Sequence, residues 1–104
     1  MSRPRYDWWG YVKGMIKRYP ALEKINPVGT YARELAAVRQ AVETTAEMSG
    51  GADRLKIVDM VFWQRTHTLA GAAVEIPCSY ETAAAYHREF IREVAKNFGL
   101  LDAE

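Results

Sequence analysis

One cysteine, Cys78, is the whole thiol content of this chain, and it contains no Cys-x-x-Cys pair. An intramolecular disulfide is therefore excluded, and a structural zinc site is not expected. Long hydrophobic runs are missing too: no apolar stretch approaches the ~18–20 residues that a bilayer span needs. The opening residues Met1-Ser2-Arg3-Pro4-Arg5 are not followed by the apolar core of a signal peptide. We therefore expect a soluble, cytoplasmic protein with no membrane partner. A dominant charge is also lacking, since the formal net charge is only +1. Strand-like alternation, internal repeats and low-complexity segments are absent, which leaves helices as the expected element. No grouping of nucleophile, base and orienting side chain is visible, so the chain is not expected to be an enzyme. His67, Cys78 and His87 have no metal-ligand spacing, so neither metal nor cofactor is expected.

What is present is ordinary globular material. The 104 residues allow one domain, 1–104, and 49% apolar against 26% charged residues argues against disorder. The charge is unevenly spread. Residues 1–30 carry six basic and two acidic side chains, residues 31–53 sum to −2, and residues 54–104 to −1. Phosphate affinity scales with the charges neutralised. A DNA-binding C-terminal half with net −1 would need help from the basic N-terminal segment or from a second subunit.

The spacing of Trp8, Val12, Met15, Ile16 and Tyr19 predicts a helix over residues 6–19, and Pro20 is the expected boundary unless Ala21-Leu22-Glu23-Lys24 extend it by a further turn. Trp8, Trp9 and Tyr11 beside Lys13, Lys17 and Arg18 fit core or subunit packing better than a membrane surface. A second helix is expected over residues 30–48, capped by Thr30, with Tyr31, Leu35, Val38 and Val42 on its apolar face. Ser49-Gly50-Gly51 ends it. A third, over residues 54–65 and capped by Asp53, carries Leu55, Ile57, Val58, Met60, Val61, Phe62 and Trp63 nearly all round. Such a helix is buried on more than one side.

Residues 68–99 hold the most informative pattern. A short helix rich in Ala70, Gly71, Ala72 and Ala73 runs into Pro77-Cys78, and Ser79 then caps a longer helix reaching about residue 98. Small side chains bury little area but let two backbones come close. Two helices joined by a short turn at a steep angle form a helix-turn-helix, which places its second helix in the major groove. The rival is a plain αα-hairpin. Pro77 stands where such turns usually have glycine, so this one is expected to be built without positive φ.

The order Phe62-Trp63, Thr68-Leu69-x-Gly71-Ala72-Ala73, Ser79-x-x-Thr82 and Phe90-Ile91-x-x-Val94-Ala95 resembles the region-4 helix-turn-helix of sigma factors. More narrowly, it is similar to small phage transcriptional regulators of the RinA/ArpU kind. The resemblance implies an all-α domain of about five helices, without winged elements. Its N-terminal helices would occupy residues 6–48 and its helix-turn-helix unit residues 53–99. It also implies a sequence-specific regulator whose partner is double-stranded DNA. Ser79, Tyr80, Glu81, Ala84, Ala85 and Arg88 are then expected to face bases. Arg88, Arg92 and Lys96, spaced i, i+4, i+8, would follow phosphates, with Glu89 and Glu93 as local partners if that face is merely solvated. Thr68 would meet a phosphate at the start of the first helix. A homodimer is expected to supply strength. Two other jobs fit the same helices: contact with RNA polymerase, or a small-terminase-like DNA-packaging subunit.

Overall fold

In the computed structural model, which describes residues 8–100, Pro20 does not end the first helix. Helix α1 spans Trp9–Glu23 with Pro20 inside it, while the expected start at Tyr6 and Asp7 lies outside the described residues. A proline in a helix interior lacks the N–H that should reach the carbonyl four residues back, here that of Ile16. The indole Nε1–H of Trp63 supplies the missing bond, donating to that carbonyl at 2.7 Å. Tyr19, disfavoured from α geometry by the following proline, is held there by packing. It is buried, and its ring lies 5.4 Å from that of Trp63.

Trp63 reaches α1 because the third helix changes type. Helix α3 (Gly51–Val58) passes into a π-helical turn over Asp59–Trp63, closed by Gln64 N–H to the Asp59 carbonyl at 2.8 Å. The extra residue per turn shifts the side chains that follow. The third segment is thus two elements where periodicity predicts one. Helix α2 occupies Thr30–Ala46, α4 Leu69–Glu75 and α5 Tyr80–Phe98, so the described residues form five α-helices and no strand.

Two hydrophobic clusters hold them together. The larger joins Val12, Met15, Ile16, Tyr19 and Leu22 of α1 to Leu35, Val38 and Ala41 of α2, Phe62 of the π turn, and Phe90, Ile91 and Val94 of α5. The smaller contains Ile57 of α3, Ala72 and Ala73 of α4 and Ala83 of α5. The nearly all-apolar third segment is explained by this split. Ile57 enters one cluster while Val58 and Phe62 enter the other.

Caps differ from expectation where glycine takes over. Thr30 is the first helical residue of α2 and not its cap; Gly29, at φ 64°, precedes it. Asp53 sits within the first turn of α3, whose N-cap is Gly50 in the left-handed region. The next residue, Gly51, must be glycine for space: a Cβ there would lie 2.5 Å from the Thr45 carbonyl oxygen. Tyr31, expected on the apolar face, is 54% exposed in the opening turn of α2.

One buried polar contact ties α1 to α2. Glu34, 2% exposed, accepts from Tyr11 Oη at 2.6 Å and from Arg18 Nε and Nη2 at 3.1 and 2.9 Å. The hydrogen bond to Glu34, then burial, raises the Tyr11 pKa, so the phenol keeps its proton. A carboxylate so enclosed is stable only because both oxygens are matched.

Candidate nucleic-acid interface

Helices α4 and α5 are each started by a side-chain cap. Thr68 Oγ1 accepts the Gly71 N–H at 3.1 Å, and Ser79 Oγ accepts that of Thr82 at 3.0 Å. Glu81 lies in the first turn of α5, where the helix dipole favours a negative charge. Between the helices the chain folds back so that Cys78 N–H donates to the Ala73 carbonyl at 3.0 Å. That closure carries Pro77 to φ 21°, against the expectation that this turn avoids positive φ. The value is far from the −65° a proline ring prefers, so the turn is strained at that residue. Inside it, Ala72, Ala73 and Ala83 share the small cluster with Ile57, and the half-buried thiol of Cys78 packs at its edge.

At 100° per residue, Glu81, Ala85, Arg88, Arg92 and Lys96 fall within an arc of about 80° on α5. Its opposite side, through Ala83, Phe90 and Val94, is buried. Glu81, Arg88 and Lys96 are exposed, and Ala85 and Arg92 half-buried. Tyr80 and Ala84 lie off this arc toward the core side. Tyr80 is nonetheless 54% exposed because it stands at the helix end, whereas Ala84 is half-buried. Ser79 is exposed and engaged as the cap, and Thr68 occupies the corresponding place on α4. The structure thus brings five of the nine expected residues onto one strip, sets Ser79, Tyr80 and Ala84 around its N-terminal end, and leaves Thr68 apart at the start of α4.

The charge of that strip is modified by residues with no sequence signal. Glu89, the expected local partner of the basic residues, is taken across the fold by Arg54 Nη1 at 2.6 Å. The Arg54 guanidinium also lies 4.4 Å from the centre of the Tyr86 ring. Lys96 approaches Glu93 at 4.0 Å, as the local-pair reading anticipates, while Arg88 makes no salt bridge among the described residues. His87 stacks flat on Phe62, with centroids 5.1 Å apart, and burial pushes its pKa down to about 4, helped by Lys13 and Arg88. It is neutral at pH 7 and adds no charge to its neighbour Arg88.

His67 lies 3.7 Å from Glu75 and its Nδ1 is 2.9 Å from Thr66 Oγ1. No group of three or more His, Cys, Asp or Glu side chains able to hold a metal ion occurs among the described residues. No helix among them is long and apolar enough to cross a membrane. In comparisons with known proteins, no family model, curated protein or solved structure matches this chain.

Proposed function

We infer that this chain is a sequence-specific DNA-binding transcriptional regulator of the phage or prophage type, similar to the RinA/ArpU kind, acting through α4 and α5. The observation that carries the reading is the outward strip of α5. It is capped at its N-terminus, backed by a small-residue contact with α4, and left uncovered at Glu81, Arg88 and Lys96 by the other described residues. A recognition helix needs each of these: a fixed first turn, a close partner helix and a free outer side.

Roles follow from side-chain chemistry. Arg88 suits bidentate pairing with guanine, Glu81 acceptance from a cytosine amino group, and Ala84 or Ala85 contact with a thymine methyl. Arg92 and Lys96 suit phosphates, as does Thr68 at the start of α4, and Tyr80 flanks the entry of α5. With a net charge of +1, a single copy neutralises few phosphates, so a dimer on two half-sites is the binding form.

Fluorescence anisotropy with labelled duplex DNA at several salt concentrations tests this. Affinity should fall with salt, and the logarithmic slope should shrink by about one unit per phosphate-contacting charge removed. Arg88→Ala with Arg92→Ala should weaken binding strongly. Absence of binding at low salt, or an unchanged affinity in the double variant, would refute the reading.

A further inference from the structure

A second surface lies away from the strip just described. Lys17, Ala21 and Lys24 of α1, the following Ile25, and Trp63 and Arg65 line an open groove of about 600 Å³. Its three charged residues are all cationic, and no carboxylate lines it among the described residues. Its floor is apolar: Pro20, Ala21, the 60% exposed Ile25 and the buried Phe62 offer no hydrogen-bonding side-chain group. Arg65 is held at φ 55°, a left-handed conformation that side-chain-bearing residues seldom adopt. That conformation is kept at one of the three cations.

Which ligand suits this groove follows from what its aromatic residue has left to offer. The indole N–H of Trp63 is committed to Ile16, and its ring is packed by Tyr19 at 5.4 Å and edge-on by Phe90 at 6.4 Å. Trp63 is thus a single, half-buried ring already in contact with two others, whereas single-strand binding surfaces rest on several aromatic rings that stack successive bases. Duplex DNA on α5 does not reach the groove either. The π turn that bears it meets α5 through His87 and Phe90, on the far side of the helix from Arg88, Arg92 and Lys96. Three cations around an apolar floor match a polypeptide carrying both carboxylates and apolar side chains.

We propose that the groove between α1 and the π turn is a docking site for an acidic, apolar-bearing segment of a partner protein. Apolar side chains of that segment lie on Pro20, Ala21 and Ile25, and its carboxylates meet Lys17, Lys24 and Arg65. In combination with the DNA-reading role, the chain would connect a promoter to a second protein through opposite faces. The groove does not depend on that role, and its test is separable from it.

The full chain, labelled with carbon-13 at the isoleucine δ1 methyl groups, is titrated with a synthetic twelve-residue peptide. In the peptide, leucine and phenylalanine recur at helical spacing between aspartates and glutamates. Two control titrations use the same peptide with every acid replaced by its amide, and a single-stranded oligonucleotide. The expected result is movement of the Ile25 methyl signal by the acidic peptide alone, with affinity falling as salt is raised. Lys24→Glu with Arg65→Glu, both at exposed positions, should weaken that binding by about tenfold or more while leaving duplex affinity and the melting temperature near wild type. Arg88→Ala with Arg92→Ala should do the reverse. Equal binding of the amide peptide, displacement of the Ile25 signal by the oligonucleotide instead, or no movement with any probe would each overturn the proposal.

Discussion

Replacing Trp63 with phenylalanine removes one N–H from the protein interior and leaves the Ile16 carbonyl without its donor. Ile16 is fully buried, so water cannot substitute. An unsatisfied buried polar group costs about 1–3 kcal/mol, and the smaller ring adds a packing loss on the order of 1 kcal/mol. For a domain whose total stability is of order 5–10 kcal/mol, Trp63→Phe should lower the urea midpoint by about 1–2 M at an ordinary slope. The sharper test adds Pro20→Ala. An alanine at position 20 restores the N–H that points at Ile16, so it should recover about 1 kcal/mol or more of the loss caused by Trp63→Phe. In the wild-type background the same change only adds a second donor to a carbonyl already bonded. Urea titrations followed by circular dichroism on the four proteins give the coupling energy directly. Additivity within about 0.5 kcal/mol would refute the claim that Trp63 stands in for the proline's missing donor.

Three further outcomes are expected. As pH falls, the unfolded chain protonates His87 near 6.5 while the folded chain resists until about 4. Stability is therefore full above 6.5 and declines between 6.5 and 4, by at most about 3 kcal/mol and less after allowance for its partial exposure; melting curves at pH 7 and 5 should converge in His87→Phe, which keeps the stack on Phe62. Ser79→Ala should cost about 1 kcal/mol by thermal denaturation, and hydrogen exchange at Thr82 should rise, since that amide loses its acceptor. Gly51→Ala should destabilise by about 1–3 kcal/mol, because the new methyl meets backbone carbonyls of Thr45 and Ala46 that cannot move aside; an unchanged midpoint would show that this crossing is looser than described.

Local signals in the chain were readable where one residue acts on its own neighbours. Ser79 announces its helix start because a hydroxyl and an amide three residues apart make the bond, whereas the same bond at Thr68 is seen only in the structure. Small residues at Ala72 and Ala73 mark the α4 side of its contact with α5, where they meet Ala83, since little else allows backbones to approach. Long-range compensation was not readable. Pro20 carries a strong local veto, and nothing nearby shows that Trp63, 43 positions later, lifts it. The π turn escaped because one inserted residue is invisible in a segment that is apolar all round. Arg54 and Glu89 are 35 positions apart, so local spacing assigns Glu89 to the basic residues of its own helix. The groove at Lys17, Lys24 and Arg65 joins two elements that sequence periodicity treats separately.

The account rests on the outer strip of α5 as a reader of base pairs, and selection from a random duplex pool tests that most directly. Wild-type protein should enrich a defined consensus, two-fold symmetric if two copies bind, with stoichiometry read from the mass of the complex. The Arg88→Ala protein should relax the preference at one position of each half-site and leave the remainder. A pool that stays random after repeated rounds at low salt, or a consensus unchanged by Arg88→Ala, Glu81→Ala and Ala85→Arg alike, would contradict it.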